Sequence, residues 1–76
     1  MKNEDTSLWG ARIERGRITA TETDANSIER YTIESIDRPG VTVYGLPGIG
    51  GPYSAGTQVY FFAFEDGKGY VLCAIL

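Results

Sequence analysis

The sequence predicts an all-β fold, a small barrel of about five strands, and three observations carry that prediction. β-branched and aromatic residues recur with a period of two. Short turn sequences, "DRPG" and "EDGKG", separate these runs at hairpin spacing. No segment sustains the three-to-four spacing of an amphipathic helix.

The elements follow in order. Residues 1–7 carry Lys2, Glu4 and Asp5 with no apolar periodicity and are expected to form a tail, which leaves residues 8–76 as a single domain. Leu8, Trp9, Ala11 and Ile13 open an extended segment, and Arg15 with Gly16 is expected to turn or bulge it. Ile18 and Ala20 interleaved with Thr19, Thr21 and Thr23 then continue as a strand. Asp24, Ala25, Asn26 and Ser27 read as a loop, because short polar side chains bond to nearby backbone and compete with pairing.

Residues 28–36, "IERYTIESI", contain the helix formers Glu29, Arg30 and Glu34, but Tyr31, Thr32, Ile33 and Ile36 suit a strand. On a strand Tyr31, Ile33 and Ser35 share one face. In "DRPG" Pro39 fixes φ at the second turn position and Gly40 accepts a positive φ at the third, a type II turn that pairs residues 31–36 with 41–46. Residues 45–56, "GLPGIGGPYSAG", hold seven Gly or Pro in twelve and are expected to be one long loop presenting Ile49 and Tyr53. A second hairpin pairs residues 59–64 with 70–76 through "EDGKG". The strand number fits a five-stranded, OB-like or SH3-like barrel with a long Gly/Pro-rich loop; a sandwich needs more strands than this chain supplies.

A chain of 76 residues buries only about 60% of the surface its unfolded form exposes, so its stability is expected to be slender. Cys73 is the single cysteine, which rules out an internal disulfide, and within its apolar run it reads as a small buried hydrophobe. There is no histidine, so Ser-His and Cys-His nucleophile pairs are excluded and a zinc site is short of ligands. Glu65 and Asp66 are adjacent in a turn, and "GIGG" is followed by Pro52 and Tyr53 where a phosphate loop needs Lys and Ser or Thr. We therefore expect no catalysis, no cofactor and no metal. No run is long enough to span a membrane and the first residues lack the apolar core of a signal peptide, so a cytoplasmic, reducing location is expected.

The closing strands are apolar on both faces: Val59, Phe61 and Ala63 oppose Tyr60, Phe62 and Phe64. A small barrel has one interior, so one of these faces needs a cover. Either the glycine-rich loop and the Trp9 segment fold across it, or another chain does. The expected partner-binding residues are Trp9, Ile49, Tyr53, Tyr60, Phe62 and Phe64, in a homo-oligomer or a larger assembly. The alternative is a single-stranded nucleic-acid binder stacking bases on Tyr31, Tyr44 and Tyr60. A net charge of −3 disfavours it, as do arginines 12, 15, 17, 30 and 38 interleaved with glutamates 14, 22, 29 and 34, the pattern of a solvated sheet face with cross-strand ion pairs. A small host-directed inhibitor is a third reading.

The order "IERGRITATETD", "YTIESIDRPGVTVYGL", a Gly/Pro loop and "AGTQVYFFAFEDGKGYVLCAI" resembles the OB-fold modules of bacteriophage tail and baseplate proteins, including the spike-hub family. The family's closing G-x-x-V…F-x-D-G pattern falls on Gly56, Val59, Phe64, Asp66 and Gly67. The resemblance implies a phage or prophage structural protein without catalytic activity. It also implies copies joined to each other or to other tail proteins through apolar strand faces and loops, held in the host cytoplasm before assembly and then in the virion.

Overall fold

The computed structural model describes residues 7–8 and 11–76, with side chains from residue 12 onward. The strands are β1 (Ser7–Leu8), β2 (Ala11–Thr23), β3 (Glu29–Ser35), β4 (Thr42–Pro47), β5 (Gln58–Ala63) and β6 (Gly69–Ala74). They form one antiparallel sheet in the order β4-β3-β2-β5-β6, with β1 a short flap on β2. The sheet curls into a half-barrel, and the described residues contain no helix. Where the curl brings its ends together, a parallel bridge joins Gly48 to Val71.

Strand β2 organises the molecule. Its 13 residues run unbroken through Arg15 and Gly16, where the sequence suggests a turn or bulge. The irregularity falls instead at Thr19, between Ile18 and Ala20 in the ladder with β3. Gly16 remains in the strand for a steric reason. It faces inward, and a Cβ there would overlap Ile33 Cγ2 and lie 2.7 Å from Phe61 Cε1. Glycine lets the two ladders of β2 close over one another.

The core consists of Ile18, Tyr31, Ile33, Leu46, Val59, Phe61 and Val71, with Val43, Tyr53 and Ala63 packed against it. These are the inward phases of the alternation: Tyr31 and Ile33 share one face of β3, and Val59 and Phe61 one face of β5, as the period of two groups them, and those faces are the core. Ser35 shares this phase and is buried because it serves a polar cluster. Glu14 lies 4% exposed; its Oε1 accepts from Ser35 Oγ (2.9 Å) and Arg38 Nε (2.9 Å), and its Oε2 from Arg38 Nη2 (2.7 Å). The Arg38 backbone N–H donates to Ser35 Oγ (3.0 Å). This fork fastens the β3–β4 turn to β2, and the hydrogen bond and charge of Glu14 raise the Arg38 pKa.

The turns follow their local chemistry. Gly40 has φ 89° and the Val41 N–H donates to the Arg38 carbonyl, closing the turn around Pro39. Asp24 Oδ1 accepts from the backbone N–H groups of Asn26 and Ile28, and Oδ2 accepts from Arg30 Nε at 2.9 Å. The glycine-rich loop begins later than expected. Gly45, Leu46 and Pro47 remain in β4, so only residues 48–57 leave regular structure. That segment is pinned to the barrel. The Tyr53 N–H donates to Tyr31 Oη (3.0 Å), its hydroxyl donates to the Ile49 carbonyl (2.6 Å), and Gly56 and Thr57 exchange backbone bonds with Ile18.

Candidate interaction surface

Two rows of side chains cross the outer face of β2, β5 and β6. In the first, Ile13 pairs with Phe62 and Phe62 with Tyr70; in the second, Arg15 pairs with Tyr60 and Tyr60 with Cys73. Ile13 and Tyr70 are each 46% exposed and Tyr60 is 39% exposed. Phe62 lies half-buried between them, its ring 5.7 Å from that of Phe64 and 6.0 Å from that of Tyr70. The rings meet edge-on or tilted, an arrangement that aromatic quadrupoles favour and that holds the cluster firm. The result is an apolar patch on the water side of the sheet, continuous across three strands.

Its border is charged but internally compensated. Arg15 makes a fork with Asp37, Nη2 to Oδ1 at 2.7 Å and Nε to Oδ1 at 3.0 Å, while its backbone N–H reaches Oδ2 at 2.8 Å. The side-chain hydrogen bond from Arg15, and then its backbone N–H, hold the Asp37 carboxyl below the usual carboxylate range. Arg17 pairs with Glu34 at 2.9 Å, directly across the β2–β3 ladder. These arginines therefore bring partnered charge to the patch, and a neighbour covering the apolar rows would leave the pairs at the rim.

The candidate residues from sequence are divided by the fold. Tyr60, Phe62 and Phe64 share the outer patch. Ile49 stands in the 48–57 loop, 53% exposed, with its N–H donating to the Val71 carbonyl. Tyr53 is half-buried against Tyr31, ring centroids 5.5 Å apart, and is occupied in holding the loop down; burial raises its phenol pKa. Trp9 lies outside the described residues.

Two members of the patch, Ile13 and Tyr70, escaped sequence reasoning because they join Phe62 only through the register of β2 and β6. The local signal was an outward apolar residue in phase with Arg15 and Arg17. Cys73 is a correction: it is exposed, where the alternation of β6 placed it inside with Val71. An irregularity between Tyr60 and Phe61 sets Val71 opposite Phe61 but Cys73 opposite Tyr60, so the inward phase changes at Leu72. Among the tyrosines considered for base stacking, Tyr31 is 1% exposed and has no face to offer; Tyr44 is 73% exposed.

The fold and surface together define an all-β half-barrel with an apolar outer patch. Comparison with family models, with curated proteins and with solved structures finds no match to the chain. No helix of the described residues is long and apolar enough to cross a membrane.

Proposed function

We propose that this chain is a non-enzymatic assembly subunit, an OB-type barrel module that associates through the outer face of β2, β5 and β6. The observation that carries the reading is the row Ile13–Phe62–Tyr70, with Tyr60 and Phe64 beside it. Fully burying a large apolar side chain is worth about 1.5 to 3 kcal/mol, and Ile13, Tyr60 and Tyr70 are 39 to 46% exposed, so covering what remains of the row contributes roughly half as much per residue toward the ordering cost of association. The OB-type reading is supported by the strand order. A long β2 is shared by both halves of the sheet, and the end of β4 meets β6 in parallel, as closure of a five-stranded Greek-key barrel requires.

The resemblance of the sequence to phage tail and baseplate modules supports reading the subunit as part of a phage or prophage tail or virion. Its partners would be copies of itself or other structural proteins of the particle. Light scattering coupled to size exclusion tests the self-association directly. The wild-type chain is expected to run as an oligomer at high micromolar concentration, and Phe62→Ser with Tyr70→Ser as a monomer with an unchanged β-sheet circular dichroism spectrum. A wild-type chain that stays monomeric throughout, and captures no structural protein from infected cells, would remove the reading.

Binding of single-stranded nucleic acid is the second reading, and the exposed Tyr44 on β4 is the observation that favours it. Titration of labelled oligo-dT at low salt, where such binding is strongest, decides it.

A further inference from the structure

We propose that the open flank of β2 from Ala20 to Thr23 is a strand-addition site for a basic, β-branched extended segment of a partner protein. The site shares no residue with the outer patch and goes beyond the assembly reading.

β5 covers only part of one flank of β2. Their ladder ends at Arg17 and Gln58, and the last backbone bonds on that side run from the Ile18 N–H to the Thr57 carbonyl and from the Gly56 N–H to the Ile18 carbonyl. β2 continues to Thr23 with only β3 beside it among the described residues, and residues 19–23 are all exposed. The turn shows which backbone groups face the open flank. The Asp24 N–H donates to the Ile28 carbonyl, so Asp24 faces β3, and alternation back along the strand turns Glu22 and Ala20 the same way. β3 gives the same answer: Ser35 bonds Val41 on its β4 side, which leaves Glu34, Thr32 and Arg30 facing β2, opposite Arg17, Ala20 and Glu22. The irregularity at Thr19 absorbs the change of phase from Ile18. Thr21 and Thr23 therefore hold their N–H and C=O groups away from β3, and unpaired groups on a strand edge are a template for another strand.

Charge and register select the occupant. The stretch Thr19–Thr23 has neither the lysine nor the proline that blunts an edge, and its one charge is Glu22. Arg30, across the ladder from Glu22, is taken by Asp24, so Glu22 makes no ion pair among the described residues. A lysine or arginine beside Glu22 in an added strand supplies one, in keeping with a chain whose net charge is −3. β-Branched residues beside Thr21 and Thr23 complete the cross-strand match. A second copy of the same edge fits poorly. Two-fold pairing of Thr21 with Thr21 sets Thr23 beside Thr19, level with Gly56, where the chain already occupies the flank. Pairing Thr21 with Thr23 sets Glu22 against Glu22, and pairing Thr23 with Thr23 sets Glu22 against Asp24; like charges directly opposite are unfavourable.

Nitrogen-15 NMR of the full chain tests the site. The probe is an end-blocked peptide of about six residues, the length of an ordinary strand, in which lysine alternates with valine, titrated to millimolar concentration. We expect saturable shifts of the Thr21 and Thr23 amides and slower exchange of both with water, while Ala20 and Glu22, already bonded to β3, exchange slowly throughout. Thr21→Pro removes an outward N–H without touching the β3 ladder, so it should keep the circular dichroism spectrum and lose binding. Glutamate in place of lysine should weaken binding about fivefold, and Glu22→Lys should reverse that preference. Phe62→Ser with Tyr70→Ser should bind the peptide as the wild type does, so failure of the outer patch leaves this site standing. No saturable shift at Thr21 and Thr23, undiminished binding by Thr21→Pro, or a preference unchanged in Glu22→Lys would each overturn the proposal. So would protection of Thr21 and Thr23 that rises with chain concentration alone, the mark of a second copy.

Discussion

Glu14 and Gly16 occupy the same inward phase of β2, and each is there for a reason only the folded chain supplies. Glu14 is a buried carboxylate whose partner comes from the β3–β4 turn. Arg38→Ala leaves that carboxylate with Ser35 alone, and the expected loss is about 3 kcal/mol, read as a lowered urea midpoint at constant slope. Arg38→Lys recovers only part of it, because an ammonium cannot reproduce the two-pronged contact. Glu14→Ala should cost less, since the half-exposed Arg38 can regain water. At Gly16 the test is steric. Gly16→Ala forces a methyl against Ile33 and Phe61 and is expected to destabilise the chain by about 1 to 3 kcal/mol in the same assay. Neither role was legible. In sequence Glu14 has the same chemistry as Glu22, Glu29 and Glu34, and its burial depends on an arginine 24 residues away. Gly16 looks like a turn glycine until the two ladders that squeeze it are known.

At the level of the element, the parts decided by local chemistry were legible and those decided by register were not. The hairpins β3–β4 and β5–β6 appear close to their expected bounds, because "DRPG" and "EDGKG" carry their own turn geometry. The continuity of β2 was hidden, since Arg15 and Gly16 are stabilised there by Asp37 and by core packing, both remote in the chain. The phase of β6 past Val71 was hidden for the same kind of reason: one irregularity moved Cys73 outside, and no residue type announces it. The glycine-rich segment was half legible. Its composition marks a loop, but Gly45 to Pro47 pair with β3, and Tyr53 is tied to Tyr31 by contacts that composition cannot foretell. Of the candidate surface, the β5 stripe was visible from alternation alone, while Ile13 and Tyr70 required the neighbouring strands.

For the whole molecule, acid should be a sensitive direction. Hydrogen bonds hold two carboxylates below their usual value of 3.8: Asp24 through the Ile28 backbone N–H and then the Arg30 side chain, and Asp37 through Arg15. A depressed folded pKa means that the unfolded chain takes up the proton first. The stabilisation from these carboxylates is therefore complete well above pH 3.8 and is lost as the pH falls through that value toward the folded ones. Thermal melts between neutral pH and pH 2 should show the melting temperature falling through this window, with a shallower fall in Asp37→Asn. The shared strand β2 has its own consequence for this small body. It carries β3 along one part of its length and β5 along another, overlapping at Gly16 and Arg17, so it serves as a spine rather than as half of a pair. Loosening either hairpin strips one flank of that spine and uncovers packing the other hairpin relies on. Opening at one margin is thereby felt at the opposite one, and the chain gives way all together or hardly at all.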